Sequence, residues 1–157
     1  MSIPKYIEVR SVDNRGRGLF TTIKILKDEN MIWFTGVVKG DEESNVESLQ
    51  IDDDKFLESQ DSDNFLNHSC EPNCRIDWNT MWLTALRDIK MGEELTYDYH
   101  TSDWDNFSLK RKDPAWFKCS CGAPQCVGKM YGFKYLSLEE RISRLEDAAP
   151  YIKKKLT

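Results

Sequence analysis

No stretch of this 157-residue sequence approaches the ~20 consecutive apolar residues a helix needs to cross a bilayer, so a helical membrane span is excluded. The opening decapeptide, Met1 to Arg10, has no apolar core of the kind a secretory signal carries, and an intracellular protein, nuclear or cytoplasmic, is expected. Positive charge is in short supply: 22 Lys and Arg stand against 27 Asp and Glu. No basic cluster marks a phosphate-binding face, so direct nucleic-acid binding is not expected. An even complement of cysteines is also missing; there are five, and with no secretory signal a disulfide framework is not expected. Internal repeats and low-complexity linkers are absent as well.

What is present describes a globular chain. Hydrophobic residues make up 39%, aromatics 11% and charged residues 31%, enough to bury a core in one domain with at most a short terminal appendage. The net charge of −5 is unevenly laid out. Asp41 to Asp63 holds ten acidic residues and one basic, Lys55, a net of −9, so the remainder carries +4 by subtraction. Two readings stand: a solvated loop kept soluble by charge, or a surface that attracts a basic partner such as a lysine-rich peptide.

Short β-like runs dominate the first hundred residues. Tyr6 to Val9 alternates; Gly18 to Thr21 follows a polar, glycine-rich turn; Met31 to Val38 is a longer apolar, β-branched run. Ser48–Ile51, Cys74–Trp78, Met81–Leu86 and Leu95–Tyr97 follow, with turns at Asn79-Thr80 and Lys90–Glu93. A mostly-β fold of several small sheets is the expectation. The C-terminus changes period. Ser137 and Glu140 read as a capping box, Leu138, Ile142 and Leu145 recur at helical spacing, and Pro150 either ends the segment or opens a second short helix through Lys155. The first of these helices is expected to pack on the β body.

Two stretches carry chemistry. Cys119, Cys121 and Cys126 are spaced C-x-C-x4-C around Gly122 and Pro124, which lets the backbone fold three sulfurs toward one point. Tetrahedral zinc takes four ligands at ~2.3 Å, so a fourth must come from Cys70 or Cys74. Three reduced thiols without a metal, or an iron–sulfur centre despite the unusual spacing, are the alternatives. The run from Asn67 to Cys74, Asn-His-Ser-Cys-Glu-Pro-Asn-Cys, is the densest polar stretch and follows the apolar Phe65-Leu66. It carries Asn67 and His68 toward a buried place, where they need partners.

Four stretches in order resemble the SET-domain lysine methyltransferases with a zinc-binding post-SET segment. They are Arg15 to Phe20, Phe65 to Cys74, Ala85 to Lys90 running into Gly92 to Tyr99, and the cysteine cluster followed by Val127-Gly128. The resemblance implies a SET-domain β-clip fold with a pseudoknot and a C-terminal helical tail. Its divisions would be a SET domain over 4–100, a post-SET zinc segment over 115–130 and a helical extension over 137–157. It implies that Arg15, Gly16, Arg17 and Gly18, with Asn67 and His68, hold S-adenosylmethionine. It assigns Tyr99 as the catalytic tyrosine, and Tyr97 as the pocket tyrosine that favours mono- or dimethylation. Cys70 would be the fourth zinc ligand beside Cys119, Cys121 and Cys126, leaving Cys74 as a small buried residue. Where family members carry a pocket tyrosine this chain has Phe34, and only thirty residues separate Gly36 from Asn67, so the segment walling the peptide groove is short.

The leading expectation is a monomeric protein-lysine methyltransferase acting on a histone or another basic, lysine-containing protein. An enzyme of the same fold acting on a non-protein substrate is a second reading. A catalytically weak module that binds cofactor or a protein partner is a third.

Overall fold

The computed structural model describes residues 3–157. In chain order the strands are β1 (Ile7–Val12), β2 (Gly16–Thr21), β3 (Asn30–Trp33), β4 (Val37–Lys39), β5 (Leu49–Asp52) and β6 (Lys55–Glu58). They continue with β7 (Asn67–His68), β8 (Cys74–Asp77), β9 (Trp82–Ala85), β10 (Glu94–Tyr97), β11 (Phe117–Lys118) and β12 (Lys129–Met130). Helices α1 (Leu138–Arg144) and α2 (Pro150–Lys155) close the chain, and short 3-10 turns fill several connections. Among the described residues no helix is long and apolar enough to cross a membrane. The chain forms two compact units: one runs to Thr35 and resumes from Ser59 to Asp98, the other joins Gly36–Glu58 to Tyr99–Thr157.

The first unit contains two sheets. One has the order β1-β2-β10-β7, antiparallel except for a parallel β10–β7 pair; the other is the antiparallel β3-β9-β8. The β1–β2 register puts Val12 opposite Gly16 around a turn in which Asn14 (φ 63°) and Gly16 (φ 73°) adopt left-handed backbone. A glycine takes that conformation without the steric cost a side chain meets. Leu19 and Leu95 face each other across β2–β10, and Leu83 and Ile76 across β9–β8; all four are buried. At the end of the β8–β9 turn Met81 has φ 60°, where the sequence placed a turn at Asn79-Thr80.

The second unit holds the sheet β4-β6-β5, the β11–β12 ladder and both helices. The apolar run Met31–Val38 is therefore two strands, not one: β3 belongs to the first unit and β4 to the second, with the units dividing between Thr35 and Gly36. The acidic segment is also not a solvated loop, because it contains β5, β6 and two 3-10 turns. Five of its carboxylates serve local structure. Asp54 accepts from the Asp41 N–H at 2.8 Å, Asp41 accepts from the Lys110 N–H at 2.8 Å, and Asp61 caps the Ser62 turn. Glu58 pairs with Lys39 at 2.8 Å and Asp53 with Lys155 at 2.5 Å.

The capping box is complete, with Ser137 Oγ accepting from the Glu140 N–H and Glu140 Oε2 from the Ser137 N–H. The expectation that the apolar stripe of α1 packs on the β body is wrong. Leu138, Ile142 and Leu145 are 75%, 65% and 40% exposed. The helix is tethered instead by Arg141, whose guanidinium donates to the carbonyls of Leu136 and Lys134. Burial falls to α2, where Pro150 occupies the first turn and Tyr151 and Ile152 are enclosed. Ile152→Ala, which empties a fully buried site, is expected to cost about 2–4 kcal/mol in urea unfolding. Ile142→Ala is expected to stay within about 0.5 kcal/mol of the parent; similar losses at both positions would contradict this division of labour.

Candidate functional site

In the first unit the polar residues of interest converge on β10. Its partner changes midway: Glu94 and Leu95 pair antiparallel with Phe20 and Leu19 of β2, and Thr96 and Tyr97 pair parallel with Asn67 and His68 of β7. The Ser69 N–H continues that parallel ladder by donating to Tyr97 O at 3.1 Å. Asn67-His68 is thus laid directly beside the strand that leads toward Tyr99.

Glu94 ties the glycine-rich hairpin to this pair. Its Oε2 accepts from the Arg15 guanidinium at 2.8 Å and its Oε1 from Asn67 Nδ2 at 2.7 Å. Asn67 Nδ2 donates again to Arg17 O at 2.7 Å. With both amide hydrogens committed, the carboxamide can be oriented only one way, with Oδ1 as its acceptor. Gly18 makes room for this arrangement. A Cβ there would overlap Glu94 Oε1 and come within 3.1 Å of Asn67 Nδ2. Gly16 and Gly18 therefore serve different ends, backbone conformation at 16 and space at 18. The Arg17 guanidinium lies 5.2 Å from the Phe65 ring centre, a cation–π contact.

Asn73, to which the sequence assigned no role, holds two backbone groups of β10. Its Nδ2 donates to Glu94 O at 2.8 Å and its Oδ1 accepts from the Thr96 N–H at 2.9 Å. Neither group is reached by the two-residue β7, so a buried side-chain amide takes the place of a neighbouring strand. The Cys74 thiol donates to the same Oδ1 at 3.3 Å and is pushed up to about 12 by burial, which makes it an inert neutral thiol. Asn73 and Glu94 lie inside the recognised motifs; what hides them in the sequence is that their partners are backbone atoms and residues distant along the chain.

His68 is buried as its position after Phe65-Leu66 suggested. Its Nδ1 lies 3.6 Å from Asp98 Oδ1 and its Nε2 3.3 Å from Cys70 Sγ, with all three residues over nine-tenths enclosed. Tyr97 is buried too. Glu93, beside Glu94, serves the surface instead. Arg87 donates to it at 2.9 Å and holds its carboxyl below the usual range, across the turn at Lys90 to Gly92.

In the second unit Tyr99 opens a 3-10 turn through Thr101, closed by the N–H groups of Ser102 and Asp103 donating to Tyr99 O at 3.1 and 2.9 Å. Two residues of the tail grip this turn. The Ala149 N–H donates to Thr101 O at 2.7 Å and the Tyr151 hydroxyl to Ser102 O at 2.5 Å. The Tyr99 ring meets Phe117 edge to face at 6.2 Å. The cysteines lie on the loop of the β11–β12 ladder, which the Cys119 N–H closes onto Gly128 O at 3.0 Å with Gly122 and Gly128 in left-handed conformations. The sulfurs of Cys119, Cys121 and Cys126 lie within 4.8 Å of one another, unlinked by disulfides. Burial, and then the neighbouring cysteines, push the Cys119 thiol up to about 12. Sulfurs around tetrahedral zinc sit roughly 3.8 Å apart, so three cysteines at this range form a donor set that fits that ion once deprotonated.

The SET domain family model matches residues 16–100, more than half of the chain, and the chain belongs to that family. The curated proteins it resembles include mouse and human histone-lysine N-methyltransferases described as H3 lysine-36 specific, each 31% identical over 144 residues. That alignment covers 78% of this chain but 5% of those proteins. Drosophila melanogaster ash1, also a histone-lysine N-methyltransferase, is 46% identical over 74 residues, 43% of this chain and 3% of its own. Among solved structures, that of Kryptonite with mCHG DNA and SAH shares the fold, with a TM-score of 0.65 at 24% identity over 80% of this chain and 29% of that one. The mostly-β architecture of small sheets is that of the family.

Replacing Asn73 by Ala leaves two buried backbone groups of β10 without partners. About 2–4 kcal/mol of stability should be lost in denaturant titration. A loss below about 0.5 kcal/mol would show that β10 does not depend on this amide.

Proposed function

We propose that the chain is an S-adenosylmethionine-dependent protein-lysine methyltransferase module. The observation that carries the reading is the parallel β7–β10 pair, which brings Asn67 and His68 beside the strand running into Tyr99 and onto the Arg15–Gly18 hairpin. These residues would hold the cofactor. The hairpin offers backbone groups without side chains at Gly16 and Gly18, Asn67 Oδ1 offers an acceptor suited to an ammonium, and Arg15 and Arg17 offer charge for a carboxylate. When bound, S-adenosylmethionine supplies an electrophilic methyl on a cationic sulfur.

Toward its substrate the protein must present a neutral amine. Free lysine titrates near 10.4, and enclosure among aromatic side chains next to positive charge lowers that value. Tyr99 is the proposed catalytic residue, its hydroxyl orienting the amine, and alignment of the reacting groups is the main source of rate. The buried Tyr97 hydroxyl limits space for added methyl groups and favours mono- or dimethylation. The substrate class is a basic protein, a histone tail above all, which would place the protein in the nucleus. The relatives' printed specificities differ, H3 lysine-36 in mouse and human and H3 lysine-4 in Saccharomyces cerevisiae, so the family does not single out one lysine.

Purified protein with labelled S-adenosylmethionine and histones is expected to transfer label, and Tyr99→Phe to reduce transfer at least ~100-fold while cofactor binding persists. Cofactor binding without transfer to histones or lysate proteins would favour a binding module, and transfer only to small molecules a non-protein substrate.

The metal proposal is zinc on Cys119, Cys121 and Cys126 with Cys70 as fourth ligand. Cys74 is unsuited, since its thiol is engaged by Asn73 inside the first unit. One equivalent of zinc per chain is expected, lost in Cys121→Ser and retained in Cys74→Ala. Less than half an equivalent in the parent would contradict the site.

A further inference from the structure

We infer that Glu94 is the positioning residue of the cofactor cradle, acting through Asn67 and Arg15 rather than by touching the methyl group. This role rests on the methyltransferase reading above and extends it to a residue outside the expected binding set. Three observations support it independently of cofactor geometry. Both Glu94 oxygens are spent inside the cradle, at 2.8 Å on Arg15 and 2.7 Å on Asn67. The carboxylate is largely enclosed, its side chain 13% exposed against 29% for neighbouring Glu93, whose partner is the surface Arg87. Gly18 leaves free the volume that the carboxylate fills.

Physically, Glu94 removes freedom before any ligand arrives. An unrestrained asparagine amide samples two flipped orientations, one presenting donors and the other an acceptor. Donation of both hydrogens, to Glu94 Oε1 and Arg17 O, keeps Oδ1 as the acceptor offered to a ligand. Arg15 lies in the turn itself, between the left-handed Asn14 and Gly16, and its long side chain would otherwise sweep solvent. The charge-assisted bond to Glu94 restrains it. A ligand meeting a pre-ordered cradle does not have to order it, so the effect belongs in cofactor affinity.

The test is calorimetric titration of S-adenosylhomocysteine into the full chain and three variants. Glu94→Ala, which breaks both contacts, is expected to weaken binding at least tenfold. Glu94→Gln retains an acceptor for Asn67 and loses the charge on Arg15, so a threefold to fivefold loss is expected. Gly18→Ala keeps every cradle side chain, and its Cβ meets only side-chain atoms, including Val12 Cγ2 at 3.0 Å; by displacing the carboxylate it should come within threefold of Glu94→Ala. In turnover assays KM for S-adenosylmethionine should rise in the same order, with kcat at saturating cofactor falling less than threefold. If Glu94→Ala does not fold, Gly18→Ala and Glu94→Gln decide the matter. Parental affinity in folded variants, or a fall in kcat at unchanged KM, overturns the positioning role alone. A parent chain that does not bind S-adenosylhomocysteine overturns the methyltransferase reading and this role with it.

Discussion

Thr96 and Tyr97 of β10 pair in parallel with Asn67 and His68 of β7, and the cluster of Asn67, Glu94 and Arg15 takes its shape from that two-residue ladder. Parallel neighbours cannot be joined by a tight turn, so the chain between them must make an excursion, here the β8–β9 hairpin. Register matters acutely: a slip of one residue would turn Asn67 to the opposite face and break its bonds to Arg17 and Glu94. A ladder this short cannot define its own register. Asn73 supplies the missing constraint by gripping Glu94 O and the Thr96 N–H at once, and the Ser69–Tyr97 bond extends the pairing.

Polar neighbours in the first unit serve different ends. Glu93, just before β10, pairs with Arg87 at the surface, and Glu94, its first residue, turns inward to Arg15 and Asn67. Cys70 and Cys74 are separated in the same way. One thiol faces His68 and the other is sealed against Asn73.

The second unit shows how a segment outside the family pattern can support a residue inside it. The family match ends at residue 100, yet the turn that Tyr99 opens is bonded by Ala149 and Tyr151 from the tail. Pro150 initiates α2 between those two contacts, and Ile152 is fully enclosed beside them. The acidic segment that dominates the charge pattern turns out to be built into turns and ion pairs rather than displayed as a uniform field.

The sequence by itself determined the elements whose cause is local or whose motif is contiguous. The capping box at Ser137 and Glu140, the turns at Asn79 and Gly92, most strands, the C-x-C-x4-C loop and the burial of His68 were all legible because period, turn chemistry and spacing act over a few residues. The break between β3 and β4, strand β6 within an acid-rich stretch and the exposure of the α1 stripe were not, because apolar composition says that a residue can be buried without saying by what. Tertiary structure alone decided why Gly18 must lack a side chain and what Glu94 and Asn73 bind. Each of these depends on a partner brought in from a distant part of the chain, and hydrogen-bond partners across a sheet follow from pairing register rather than from residue identity.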